Sequence, residues 1–367
     1  MNSYGISALG LAFPSTAITL QELARLRGTD ANKYRIGLGC EEMAICADGT
    51  TVVDLAVKAA RRALARWHGN IKDIGLLVVG TESGIDFSRP LSAWVAKELD
   101  IQGAVRSYEV KHACLGGTLA LRQAIDWKYA PGSANKAALV IAADAALYAP
   151  ASAGEPTQGA GAVAMIVDTP EVAEIAPQSY AWSLPAYDFW RPVNEEYPRV
   201  DGPLSLKCYI DAARACFAEM LDSAKPEQFI ASYQALCFHV PFPKITLKAM
   251  KDLGQGWGWN AQKIHETFTE KVEPYFYYNR LTGNSYTASL WVSVAHALAQ
   301  LKKDEQLLAF SYGSGCGAEL LKIRKNTHEN VWLADLQAIE KERRYLTAEQ
   351  YDAYRKGYYQ QYLAPAA

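Results

Sequence analysis

Three residues have types and surroundings that suit acyl chemistry. Cys114 lies in KHACLGGT (111–118), after the strand-like stretch Arg106–Lys111 and before a small-residue helix start. A thiol at a helix N-terminus faces unsatisfied N–H groups and the positive dipole end, which predicts a lowered pKa and a nucleophile. Gly116 and Gly117 let a ligand or another backbone come close. Taken alone, such a cysteine is more often an inert small hydrophobe, and Cys40, Cys46, Cys208, Cys216, Cys237 and Cys316 are read that way. Glu82, in GTESGID (80–86), follows the apolar run IGLLVVG. Burial there would raise its pKa toward base duty near neutral pH, whereas a turn glutamate capping the next helix is the plainer reading. His239 ends another apolar run, and Pro241 stops it, so the imidazole falls at a strand end, where α/β proteins carry their chemistry. The plainer reading is a hydrogen-bonded core histidine.

Lys244 and Lys248 follow at i, i+4 on one predicted helix face, either as phosphate contacts or as a solvated pair. The segments YNRLTGNSYTAS (278–289) and SYGSGCG (311–317) put Asn284 and Ser314 where backbone N–H groups can hold an oxyanion. Neither is a P-loop, because no GK[ST] follows. A glutamate, a cysteine and a histidine, each at a strand end, satisfy the nucleophile-plus-base logic of thioester chemistry.

The elements that must position these residues recur along the chain. Apolar runs at residues 4–13, 74–80, 137–143, 160–167, 235–240 and 307–312 read as strands, most of them covered on both faces. Helical stretches lie between them at 52–67, 91–99, 115–129, 205–221 and 287–301. Alternation of this kind predicts an α/β fold with layered, largely buried sheets. Residues 169–200, rich in proline and aromatics, read as an irregular joint, and 333–362 as an outer helix or two.

Composition narrows the function classes. The chain has 367 residues, 50% hydrophobic and 21% charged, with 37 Lys+Arg against 39 Asp+Glu for a net charge of −2. That length suggests roughly two domains or two joined halves. The balance argues against a nucleic-acid or membrane binder. Seven cysteines without a CxxC pair predict neither a disulfide framework nor a zinc ribbon, and no histidine has metal-ligand spacing. The expected compartment is a reducing cytoplasm. Gly10 and Pro14 interrupt the apolar N-terminus and no basic region precedes it, so neither a leader nor a membrane span is expected.

Longer phrases carry a resemblance. NKYRIGLG, TESGIDF, VKHACLGGT, GEPTQGAGAVAMIV, YDFWRP, EYPRVDGPLS, FHVPF.K, YNR..GN.YTAS and FSYGSG occur in order over roughly residues 31–320. Together they resemble the 3-hydroxy-3-methylglutaryl-CoA synthase family. The resemblance implies a thiolase-like five-layer αβαβα fold of two similar halves, here residues 1–170 with Glu82 and Cys114, and 171–367 with His239, Asn284 and Ser314. It implies a homodimer in the cytoplasm, no metal and no cofactor beyond the CoA thioesters used as substrates. Cys114 matches the nucleophile acetylated by acetyl-CoA, Glu82 the general base and acid, and His239 the residue orienting acetoacetyl-CoA. Asn284 and Ser314 match positions contacting the acetoacetyl group or its thioester, with the Cys114 N–H and the Ser314 turn as oxyanion donors. Asp144, Tyr148, Thr157 and Asp188 match further active-site polar positions, and Lys244 and Lys248 basic CoA contacts. The implied activity is the mevalonate-pathway condensation that feeds isoprenoid biosynthesis.

The chain departs from the family pattern at Leu115, where a tyrosine is common, and at His112, where another polar or acidic residue is usual; both bear on packing around the thiol. ESGIDF and GSGCG lie closer to the polyketide β-branching relatives, which take substrates from acyl carrier protein, whereas EPTQGAGAVAMIV, YDFWRP and VDGPLS lie closer to the CoA enzyme. A ketoacyl synthase III type of decarboxylating condensation would use Cys114, His239 and Asn284, but has no need of Glu82. A catalytically dead scaffold is a further alternative, opposed by the intact Glu, Cys and His.

Overall fold

The computed structural model describes residues 3–133 and 135–362, with side chains through Gly357. Nine strands form its central framework: β1 (Gly5–Ala12), β2 (Ile74–Gly80), β3 (Arg106–Val110), β4 (Ala137–Ala145), β5 (Ala160–Asp168), β6 (Ala173–Ser183), β7 (Ala235–Phe238), β8 (Gln306–Gly313) and β9 (Gly317–Lys325). Their order is β7-β8-β9-β6-β1-β5-β4-β2-β3. The pairing repeats. β1, β5, β4 and β2 are joined antiparallel, antiparallel, parallel, and so are β6, β9, β8 and β7. Strand β3 extends the first set in parallel. Among the described residues the two sets pair in register at Gly5 with Glu174 and Ile6 with Ala173. The framework is therefore two similar sheets joined at one corner.

Side-chain alternation along the strands builds the layers. Leu76 and Val78 of β2 enter the central core, while Leu77 and Val79 enter an outer one. On the second sheet Leu307 and Ala309 point to the same central core, and Leu308 and Phe310 to a second outer one. Helices α4 (Gly116–Tyr129) and α8 (Ser289–Gln300) fill the centre. From Ser289 to Ala299, α8 is buried on every side, as a helix between two sheets must be. The Trp291 indole N–H donates to Thr118 Oγ1 at 3.2 Å, tying α8 to α4. Helices α2 (Val52–Arg66) and α3 (Leu91–Glu98) cover the first sheet, and α5 (Gly202–Leu221) and α6 (Pro243–Gly256) the second. This is the α-β-α-β-α layering expected of two similar halves.

Helices α1 (Leu20–Arg27), α7 (Ala261–Lys271), α9 (Leu333–Lys341) and α10 (Ala348–Tyr362) complete the elements used below. Two expectations need correction. Residues 169–200 are not simply an irregular joint, because they include β6, eleven residues long and central in the sheet order. Its exposed Pro177 and Gln178 break the apolar run that marks doubly covered strands. The last stretch does form helices, but they are not merely outer: Leu336 and Ile339 join the central core, and Tyr351 is fully buried.

Candidate active site

The site residues gather because parallel strands in each half end on one side. Glu82 lies two residues beyond β2, Cys114 four beyond β3, and Asp144 within the end of β4. On the second sheet His239 directly follows β7 and Ser314 directly follows β8. The turn leading into α8 stitches the two sets together. Thr287 Oγ1 bridges the Gly80 carbonyl (3.0 Å) and Asp144 (2.6 Å), and its N–H donates to Asp144 Oδ2 at 3.0 Å. Two residues on, Ser289 Oγ donates to the carbonyl of Val240, the neighbour of His239, at 2.8 Å.

Close backbone approaches define the cysteine turn. A Cβ on Gly80 would lie 2.4 Å from the Gly117 nitrogen, so only glycine lets the end of β2 reach the start of α4. A Cβ on Gly313 would lie 2.5 Å from the His112 carbonyl oxygen and 2.7 Å from Leu115 Cβ. The β8–β9 hairpin carrying Ser314 therefore rests on the cysteine turn. Leu115 and His112, the two departures from the family pattern, form part of that seat, with Leu115 buried and His112 facing Gly317. Ala113 is held at φ 43°, a left-handed conformation that costs a non-glycine residue about 1 kcal/mol or more. Its N–H donates to Glu82 Oε1 at 2.6 Å, so the carboxylate grips the turn that carries Cys114.

Cys114 is partly open to solvent, whereas the other six cysteines are buried. Its thiol is not lowered in pKa as expected. Burial pushes it well above its ordinary value, and the nearby carboxylates of Asp144, Glu82 and Asp188 push the same way. The helix begins only at Gly116, and its dipole is outweighed. Glu82 is raised by burial, against the opposing pull of the Ala113 N–H and the Arg191 and Lys111 charges. Asp144, wholly buried, is raised to about 6, again by burial. It accepts from Thr81 Oγ1 and from the backbone N–H groups of Glu82 (2.7 Å) and Ser83 (2.9 Å), which fixes the loop that carries Glu82. Burial lowers His239 to about 3, so the imidazole is neutral near pH 7. Its backbone N–H donates to Phe310 and its carbonyl accepts from the Tyr209 hydroxyl at 2.7 Å. Its Nδ1 is buried and finds no hydrogen-bond partner among the described residues.

Asp188 is buried beside the hairpin and accepts from the Tyr312 hydroxyl (2.9 Å) and the Gly315 N–H (2.8 Å). Tyr148, Phe189 and Tyr286 form a closed aromatic triangle with centroids 6.1 to 6.2 Å apart. The Tyr148 phenol meets the side chains of Tyr286, Thr157 and Asn284, and burial raises its pKa, so it remains an O–H donor beside Cys114. Asn284 donates its N–H to the Thr157 carbonyl at 2.9 Å and accepts the Tyr286 N–H at 3.0 Å. Lys244 and Lys248 lie farther out, on the first turns of α6, with Lys248 exposed. The Lys244 N–H donates to the Leu38 carbonyl at 3.0 Å, and neither lysine enters an ion pair among the described residues. Sequence reasoning assigned no role to Thr287, Tyr286, Phe189 or Arg191. All four sit inside phrases that carried the resemblance, YTAS and YDFWRP, which was the available signal.

Comparison with known proteins agrees with this geometry. Residues 1–172 match the family model described as hydroxymethylglutaryl-coenzyme A synthase N terminal, and residues 180–254 and 260–364 the corresponding C terminal model. The hydroxymethylglutaryl-CoA synthase of Enterococcus faecalis is 36% identical over 323 residues, covering 86% of this chain and 81% of the relative. The cytoplasmic hydroxymethylglutaryl-CoA synthase of Gallus gallus is 31% identical, covering 87% and 71%. A solved structure of MvaS in complex with 3-hydroxy-3-methylglutaryl coenzyme A superposes with a TM-score of 0.89 at 32% identity, covering 97% of this chain and 92% of that one. The HMG synthase of the curacin biosynthetic pathway, solved in complex with holo donor-ACP, gives 0.87 at 28% identity, covering 96% and 88%. With both family models matched across nearly its whole length and the expected layers in place, the chain belongs to the hydroxymethylglutaryl-coenzyme A synthase family.

Proposed function

We propose that this chain condenses acetyl-CoA with acetoacetyl-CoA and water to give 3-hydroxy-3-methylglutaryl-CoA and CoA. The observation that carries the reading is the 2.6 Å hydrogen bond from the Ala113 N–H to Glu82, which sets a half-buried carboxylate against the turn that carries Cys114. Cys114 attacks the acetyl-CoA thioester, and CoA departs with the thiol proton. Because the thiol is held protonated, that proton must leave as the carbon–sulfur bond forms. Glu82, pushed up by burial, then takes a proton from the acetyl methyl group. The resulting carbanion attacks the ketone of acetoacetyl-CoA, and the proton taken up by Glu82 is returned to the new alkoxide beside the neutral imidazole of His239. Water then splits the Cys114 thioester, leaving a free carboxylate on the product.

Asn284, Ser314, Tyr148 and Thr157 line the acyl groups in this reading. Asp144 and Asp188 hold the surrounding loops, and Lys244 and Lys248 meet the phosphates of CoA at the rim. No metal or cofactor takes part in this scheme. A homodimer in the cytoplasm, serving the mevalonate pathway and isoprenoid synthesis, is the setting proposed. A second reading keeps the chemistry and replaces CoA by an acyl carrier protein; the donor-ACP complex of the curacin relative supports it.

Intact-protein mass spectrometry tests the scheme. Acetyl-CoA should add one acetyl group at Cys114, which acetoacetyl-CoA then removes as 3-hydroxy-3-methylglutaryl-CoA. Acetyl labelling that survives in Cys114→Ala would overturn the assignment. Acetylation by an acetyl-carrier protein but not by acetyl-CoA would select the second reading.

A further inference from the structure

The C-terminal helix reaches the wall of the site from behind. Both main-chain groups of Tyr148 are held by side chains. Its N–H donates to Gln158 Oε1 at 2.7 Å, and its carbonyl accepts from the Arg355 guanidinium of α10. Gln158 Nε2 donates in turn to the Tyr351 hydroxyl at 2.9 Å, and that hydroxyl donates to Glu155 Oε1 at 3.1 Å. Glu155 is clamped by Arg27 of α1 through contacts of 2.7 and 2.8 Å and accepts the Ala151 N–H at 2.7 Å. Tyr351, Glu155, Gln158 and Arg355 are 0%, 1%, 2% and 6% exposed, so water does not substitute for these bonds. The Arg355 guanidinium also lies over the Tyr197 ring, 5.6 Å from its centroid, on the segment that follows Asp188.

From this chain of contacts we infer that Tyr351 and Arg355 are positioning residues for the condensation, setting the Tyr148 phenol beside Cys114 without touching substrate. The inference rests on the proposed function, which sets Tyr148 against the acyl groups. Such groups act only when held to within about 0.5 Å, and a misplacement near 1 Å costs up to about 10²-fold. A brace that fixes both peptide groups of Tyr148 supplies that precision. A purely structural brace would stabilise the fold and leave the chemistry of folded molecules unchanged.

The test compares Tyr351→Phe, Arg355→Met and Arg355→Lys with the exposed control Glu349→Ala, whose side chain pairs with Arg25 and meets the Thr347 side chain, away from Tyr148. Cys114 acetylation by acetyl-CoA is measured first, in the unaltered chain and in each variant. Tyr351→Phe should be acetylated to full stoichiometry while its kcat falls about tenfold, equivalent to about 1.4 kcal/mol of barrier, with KM for acetoacetyl-CoA little changed. Arg355→Met should behave alike, Arg355→Lys should recover most of the loss by restoring a donor, and Glu349→Ala should match the unaltered chain. Normal kcat in Tyr351→Phe and Arg355→Met, or a loss that only follows the fraction of folded, acetylatable protein, would overturn the inference. No acetylation of the unaltered chain would instead overturn the proposed function, so the two failures are distinct.

Discussion

Glu82→Gln separates the two halves of the proposed reaction. The glutamine is nearly isosteric, and its carbonyl oxygen can keep the 2.6 Å contact with the Ala113 N–H. The flipped amide would set two donors against each other in a part-buried place, at a cost of about 1 kcal/mol, so the carbonyl keeps that side. The cysteine turn, strained at Ala113, should therefore stay in place, and acetylation of Cys114 should persist. What disappears is the base. Loss of a positioned general base typically costs about 10²–10⁴-fold, and carbon–carbon bond formation should slow by that factor.

Glu82→Asp gives an independent check. One methylene fewer withdraws the carboxylate by about 1.5 Å, stretching the contact to roughly 4 Å, beyond hydrogen-bond reach. It should also lose condensation although it keeps a carboxylate. The assay incubates acetylated enzyme in D₂O and reads deuterium in the acetyl methyl group, alongside product formation with acetoacetyl-CoA. Burial raises Glu82, so the acid limb of the unaltered chain should lie above the ordinary 4.5 and be absent from the residual rate of Glu82→Gln. Methyl exchange at the unaltered rate in Glu82→Gln would refute the reasoning, because some other group would then be removing the proton.

Two further outcomes follow from the buried ionisable groups. Alkylation of Cys114 by iodoacetamide should keep rising with pH past 9, since burial and three carboxylates raise the thiol above its ordinary 9.0; a plateau near neutral pH would mean that the helix dipole prevails after all. Asp144 binds its proton more tightly folded than unfolded, so the stability it contributes is fully present below about 3.8 and is lost as pH rises through about 6. The difference, 6 − 3.8 = 2.2 units, corresponds to about 3 kcal/mol. Urea unfolding of the unaltered chain and of Asp144→Asn across that window should show their stability gap shifting against the unaltered chain as pH rises, and a gap independent of pH would contradict the assignment.

Much of this architecture is legible residue by residue. Strands β2, β4 and β5 lie inside the sheet, so their sequences are unbroken apolar runs that announce themselves. Strand β6 is half exposed, with proline in its middle, and β9 mixes Glu319, Lys322 and Arg324 into its ladder; neither has that signature. Strand-end placement is readable for Glu82 and His239 because each follows an apolar run, and for Cys114 because it lies between the strand-like stretch Arg106–Lys111 and a small-residue helix start. The direction of the Cys114 shift was not. It depends on burial and on Asp144 and Asp188, charges brought near only by folding. The same holds for Thr287 and Tyr351, whose partners lie 143 and 193 residues away, beyond any local pattern.

The protonated state of Cys114 has a consequence for how the chain survives between turnovers. Peroxides attack thiolates, and the ladder from sulfenic to sulfonic acid starts there. A sulfur held as S–H by burial and surrounding negative charge is a poor target for stray oxidants, although it is open enough to meet a thioester. Nucleophilicity is then released only when an electrophile fills the pocket, and the resting molecule gains resistance to oxidative inactivation from the carboxylates that organise its chemistry.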